Sequence, residues 1–236
     1  MKTENWVKYN LGQLKMNDMC VSAISSYVPK KRRDNLTLIK AHSIENEFLD
    51  NKIGVRVLPI KEDKQETSDL AANAVQSLID SEGIEPKNID CLIVCTQNPD
   101  NFGLPHVSTI VHEKLDLSTN CATFDISLGC SGFVYGVSIA RSFSYENNFK
   151  NTVFVTADPY SKVVDQSDKN TTLLFGDAAA AVLIQKESEV IGKKLLFGRS
   201  SFVSESKKYN ALKVEASRTL SMNGRDVFNF AATIVP

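Results

Sequence analysis

The chain of 236 residues holds five cysteines, Cys20, Cys91, Cys95, Cys121 and Cys130, and these are the side chains best suited to covalent chemistry. Their number is odd, and Met1 to Trp6 lacks the apolar stretch of a secretory signal, so free thiols in the cytosol are expected rather than a disulfide framework. Four of them stand in apolar runs and read as small buried hydrophobes. Cys91 and Cys95 have an even spacing that puts both on one side of a strand, and no second pair completes a zinc site. Cys130 is different. It lies in Phe124-Asp125-Ile126-Ser127-Leu128-Gly129-Cys130-Ser131-Gly132-Phe133-Val134-Tyr135-Gly136, where an apolar run gives way to small residues and then to a helical pattern. A strand, a tight turn of small residues and a helix start let a nucleophile project from a corner. Unpaired backbone N–H groups at a helix start favour a thiolate by about 1 kcal/mol, close to one pKa unit.

The same residues leave other readings open. A buried structural cysteine in a close-packed turn has this composition too. A dinucleotide fingerprint also places glycines after a strand, and Asp158 ends the next strand, where a ribose ligand could lie. However, the spacing of Gly129, Gly132 and Gly136 is G-x-x-G-x-x-x-G, not G-x-G-x-x-G. The nucleophile elbow of an α/β-hydrolase needs glycine at the position of Leu128. The three histidines, His42, His106 and His112, read as surface or helix-start residues.

The elements that must position Cys130 follow from periodicity. Met19 to Ile24 reads as a strand, and the basic run Lys30 to Arg33 as a solvated turn. Residues 36–50 look helical, Ile53 to Leu58 extended, and Lys61 to Glu66 a charged loop. The stripe Leu70, Ala71, Ala74, Val75, Leu78, Ile79 predicts a helix that opens near Thr67 and Ser68 and closes at Gly83. Ile89 to Cys95 is an almost unbroken apolar run, which suits a strand covered on both faces. Pro99 to Pro105 is a loop, residues 106–115 a helix, Cys121 to Ile126 a strand, Cys130 to Ser144 a helix and Thr152 to Ala157 a strand. A polar loop from Asp165 to Asn170 follows. Ala178 to Gln185 and Ile191 to Phe202 are the remaining predicted strands. Alternating strands and helices argue for an α/β fold with a mainly parallel sheet. The closing helix from Gly224 to Ile234 stops at Pro236 without a cap or a following strand, so the chain is expected to be cut short.

Basic and acidic residues nearly balance, 27 against 28, so no global pull toward nucleic acid or an anionic membrane is expected. The hydrophobic share of 42% suits a globular protein. No apolar run approaches the roughly 20 residues needed to span a bilayer.

Residues 124–136 resemble the active-site cysteine segment of the β-ketoacyl-acyl-carrier-protein synthase III family of condensing enzymes. Three further stretches, in family order, are similar to that family's motifs. Ile89 to Thr96 resembles its second strand, Asp168 to Ala181 its phenylalanine-glycine-aspartate segment, and Ser221 to Phe228 the stretch that opens its second half. The resemblance implies a thiolase-like fold of two α/β halves. Residues 1–190 would be a complete first half with a five-stranded, mainly parallel or mixed sheet, and 191–236 the start of a second. It implies that Cys130 takes an acyl group from acyl-coenzyme A, and that malonyl-acyl-carrier protein then loses carbon dioxide and attacks the thioester. No metal or cofactor is implied, the coenzyme A thioester being substrate. Phe48 falls where an aromatic stacks on the adenine. Lys52 and Lys169 fall where basic residues meet the coenzyme phosphates, though arginine is familiar at both, and lysine lacks its planar fork. Phe175 falls at the acyl pocket, and Phe102 in the loop that reaches the neighbouring subunit of a homodimer. The family's enolate-stabilising histidine and asparagine belong to the second half, and none of the chain's histidines matches that position.

Overall fold

The computed structural model describes residues 19–234. Its centre is a six-stranded mixed sheet. The strands are β1 (Met19–Tyr27), β2 (Cys91–Cys95), β3 (Ala122–Ile126), β4 (Thr152–Ala157), β5 (Ala179–Lys186) and the two-residue β6 (Leu195–Leu196), in spatial order β3-β2-β4-β5-β1-β6. β2 pairs parallel with both β3 and β4, whereas β4–β5, β5–β1 and β1–β6 are antiparallel. The five expected strands are therefore present, with parallel pairing confined to the β3-β2-β4 side, and β6 is a short sixth.

The longer helices are α1 (Asn35–Ala41), α2 (Thr67–Glu82), α3 (Val107–Lys114), α4 (Gly132–Glu146) and α5 (Gly224–Ile234). α2 and α3 cover one face of the sheet and α4 the other. Leu92, Val94, Val153, Val155 and Leu183 meet α2 and α3 through Leu70, Val75, Val107 and Val111. Cys91, Ile93, Cys95, Phe154 and Val182 face α4. Two-sided burial explains why β2 reads as one continuous apolar run, and each fully buried aliphatic of this kind stabilises by about 1.5–3 kcal/mol.

α4 lies very close to the sheet because its buried face is a stripe of small residues, Gly132, Gly136, Ala140 and Ser144, one per turn. A Cβ at Gly136 would overlap the ring of Phe154, and one at Gly132 would overlap the sulfur of Cys95. Glycine is required at both positions by contact, not by dihedral angle.

Several boundaries differ from the sequence expectation. α2 begins at Thr67, as expected, but is capped by the residue before Thr67 and Ser68. Glu66 is its cap, in a reciprocal box with Asp69, and Gly83 closes it with φ of 64°. The single helix expected over 36–50 is broken at Ser43, which takes a left-handed φ of 53°. The chain then re-enters a helical stretch from Asn46 that continues as a wide turn, Leu49–Ile53, and ends at Gly54. Ile39, Leu49 and Leu173 form their own small core there. The strand expected over Ile53 to Leu58 is reduced to Val57–Pro59, paired with Arg32–Asp34. The strand expected over Ile191 to Phe202 is reduced to β6, since Ile191 is fully exposed and Leu195 and Leu196 are largely so. No helix among the described residues is long and apolar enough to cross a membrane.

Candidate active site

The carboxyl ends of the parallel strands β3, β2 and β4 lie side by side, with Cys95 in register with Ile126 on one side and Thr156 on the other. The segments that leave them therefore converge on one edge of the sheet, where parallel α/β sheets hold their ligands. Thr96 and Gln97 leave β2, Ser127 to Cys130 leave β3, and Asp158 to Tyr160 leave β4.

Cys130 is the exposed cysteine of the five, and the other four are buried. It stands in the turn two residues ahead of α4, so the helix opens at Gly132 and not at Cys130 as expected. The turn is closed by Gly132 N–H donating to the Gly129 carbonyl at 2.7 Å. Burial pushes the Cys91 thiol up to about 12 and those of Cys95 and Cys121 up to about 11. Cys20 is raised for the same reason. These four thiols stay protonated near neutral pH, so nucleophilic chemistry falls to Cys130.

Carboxylates fix the surrounding loops. Asp125, on β3, accepts from Val107 N–H at 2.7 Å and Ser108 N–H at 2.8 Å and so caps α3 from across the fold. Asp158 uses one oxygen to accept from Asn98 Nδ2 at 2.6 Å, Gln97 N–H at 3.2 Å and Thr96 Oγ1 at 3.3 Å. Its burial raises its pKa against the lowering effect of those donors. It ties the β2 exit to the β4 exit and is committed to protein partners. The fully buried Asp177, in Phe175-Gly176-Asp177, accepts from Lys61 N–H at 2.8 Å, from Ser161 N–H at 3.1 Å and from Ser161 Oγ. It thereby fixes the neighbour of Tyr160, whose ring is stacked on Phe175 with centroids 4.5 Å apart and planes 13° apart.

The remaining residues expected from sequence fall in two places. Lys169 is brought to Phe48 from far along the chain, and Lys52 is Phe48's near neighbour in sequence. The Lys169 ammonium lies 5.0 Å from the centroid of the Phe48 ring. These two line a shallow depression of about 450 Å³ with His42, Ser43 and Ser167, and Lys52 lines an adjoining one with Phe48. Phe102 stands apart, 82% exposed in a loop where Asn101, Phe102 and Gly103 all have positive φ. The guanidinium of Arg218 lies 4.2 Å from its ring centroid. His106 precedes α3, and the ring Nε2 of His112 bonds the Ser118 carbonyl at 2.9 Å. Among the described residues no cluster of histidine, cysteine and acidic side chains could hold a metal ion.

The family model described as 3-oxoacyl-[acyl-carrier-protein (ACP)] synthase III matches residues 124–197, the span from β3 through the Cys130 corner to the end of the sheet. A β-ketoacyl-[acyl-carrier-protein] synthase III of Clostridium beijerinckii is 33% identical over 232 residues, covering 93% of this chain and 70% of the relative. The chain belongs to the β-ketoacyl-acyl-carrier-protein synthase III family. The family is one of condensing acyltransferases, and a second member, from Neisseria meningitidis, is 31% identical over 219 residues and is matched over 68% of its length. A crystal structure of a 3-oxoacyl-(acyl-carrier-protein) synthase III superposes with a TM-score of 0.81 at 26% identity, over 92% of this chain and 71% of that one. The thiolase-like fold expected from the motifs is thus observed.

Within this synthase III frame, sequence reasoning missed two residues that flank the nucleophile. A Cβ on Gly129 would fall on the Gln97 carboxamide oxygen and 3.5 Å from the Tyr160 hydroxyl. The available signal was positional, because each lies two or three residues past the carboxyl end of a parallel strand. Leu104 was missed beside Phe102 and is as exposed, at 81%.

Proposed function

We propose that this chain carries out the acyl-loading step of the family reaction on Cys130 and serves the condensation that follows. The exposed thiol on a glycine-lined corner, at the carboxyl edge of three adjoining strands, is the observation that supports this reading most. The Cys130 thiolate attacks the thioester carbonyl of acyl-coenzyme A. The carbon–sulfur bond to the coenzyme breaks, and the departing sulfur takes a proton. Backbone N–H groups at the turn, that of Cys130 among them, would receive the oxyanion. Malonyl-acyl-carrier protein then loses carbon dioxide, and its enolate carbon forms the new bond to the acyl carbonyl while Cys130 leaves as thiolate. A covalent intermediate of this kind divides one difficult step into two easier ones.

The depression at Phe48 and Lys169 is assigned to the adenine end of the coenzyme, with Lys52 and Lys169 toward its phosphates. The Lys169 ammonium, 5.0 Å from the Phe48 ring centroid, is close enough to serve both the ring and a phosphate beside it. Phe175 is assigned to the acyl pocket, and the exposed Phe102 to contact with a second copy in a homodimer. We retain 1–190 and 191–236 as the two halves, a cytoplasmic location, and a reaction that needs no metal or cofactor. The test is intact mass after incubation with a panel of acyl-coenzyme A thioesters. One acyl group should add to the protein and be absent from Cys130→Ala. Equal labelling of that variant would overturn the assignment.

A further inference from the structure

Beside Cys130 lie two polar groups that the proposed reaction does not use. Gly129 precedes the nucleophile, and the space its missing side chain leaves is occupied by the Gln97 carboxamide oxygen and approached by the Tyr160 hydroxyl. Among the described residues neither group makes a side-chain hydrogen bond, although their neighbours Thr96, Asn98, Asp158 and Ser161 are all engaged. Tyr160 is half-buried and cannot swing freely. Its ring is stacked on Phe175, and the next residue, Ser161, is held by Asp177. The wall beside the nucleophile is thus aromatic but ends in a hydroxyl, with a carboxamide next to it.

We propose that Tyr160 and Gln97 determine acyl specificity, selecting thioesters whose acyl group carries a hydroxyl or keto oxygen within a few bonds of the thioester carbon. The inference rests on the acyl-loading reading above. A hydroxyl on the acyl chain donates to the Gln97 oxygen and accepts from Tyr160, and a keto oxygen accepts from Tyr160 or from the Gln97 NH₂. A plain alkyl chain of the same length leaves the half-buried Tyr160 hydroxyl against methylenes. A site built to hydrogen-bond an oxygen discriminates strongly against the analogue that lacks it. The phenol is a neutral donor throughout the working range. Burial first, and then the negative charges of Asp158 and Cys130, hold its pKa up to about 12.

The experiment is a competition. The chain is incubated with equal 3-hydroxybutyryl-coenzyme A and butyryl-coenzyme A, and the two acyl-enzymes, which differ by one oxygen, are counted by intact mass. The natural sequence should load the hydroxyacyl group in preference, by about tenfold or more. Tyr160→Phe, which keeps the stacked ring, and Gln97→Leu, at an exposed position that folding tolerates, should each shift the ratio toward butyryl by roughly tenfold. Because the readout is a ratio, a general loss of loading does not imitate the effect. Preference for butyryl in the natural sequence, or an unchanged ratio in both variants, overturns the proposal. Loading of neither substrate by folded protein overturns the acyl-transfer reading itself, and this inference with it.

Discussion

Asp158 is a carboxylate whose charge is poorly solvated where it lies. Its burial outweighs the donors from Thr96, Gln97 and Asn98 and raises its pKa above the ordinary carboxylate value. A raised folded-state pKa means that the folded chain binds the proton more readily than the unfolded one. The stability so contributed is complete at acid pH and is lost as pH rises from about 4 through the folded pKa. All three donors use the same oxygen, which an asparagine also supplies. Asp158→Asn should therefore melt higher than the natural chain at neutral pH. The difference in Tm should widen as pH is raised from about 4 to 7, where the carboxylate ionises. Scanning calorimetry across that range checks the sign, and a gap that narrows with pH would contradict the account.

At the scale of elements, the nucleophile is placed by the way α4 seats on the sheet. Gly136→Ala puts a methyl group into the ring of Phe154, which is fully buried in the central strand β4. Overpacking of this kind costs about 1–3 kcal/mol and often more, and chemical denaturation should read the loss directly. The double variant Gly136→Ala with Phe154→Leu should recover part of it, because neighbouring changes are not additive. If the single variant is as stable as the natural chain, the close approach described for α4 is wrong. The sequence made this element legible. Cys130 to Ser144 reads as a helix behind an apolar strand, and the Cys130 corner follows from small residues after Ile126, although the helix opens only at Gly132. Other elements were not legible, for identifiable reasons. The apolar residues of 36–50 keep their spacing across the break at Ser43, so periodicity cannot see a left-handed turn that the small core of Ile39, Leu49 and Leu173 compensates. Residues 191–202 carry the apolar run Leu195-Leu196-Phe197, but only Leu195 and Leu196 pair with the edge of β1. Gln97 and Tyr160 escaped notice because their nearness to Cys130 depends on the parallel register of β3, β2 and β4, which no local pattern encodes.

The molecule as a whole carries more exposed apolar surface than its balanced charge suggests. Phe133, Val134 and Ile139 on α4 and Phe228, Phe230 and Ile234 on α5 are exposed. Surface of this kind promotes association. The purified chain should elute larger than a monomer on size-exclusion chromatography at micromolar concentration, and Val134→Lys with Ile139→Lys should shift it toward the monomer. Elution of the natural chain as a monodisperse monomer would contradict the prediction. The close seat of α4 also governs how the molecule can respond when its thiol is acylated. Where each turn of a helix meets the sheet through a residue no larger than serine, the helix has little room to roll or slide, so it acts as a fixed anvil. Whatever yields on acylation must be the exits of β2 and β4, over residues 97–104 and 158–176. Amide hydrogen exchange, compared before and after acylation, should change in those two segments while the protection of residues 132–146 stays as it was.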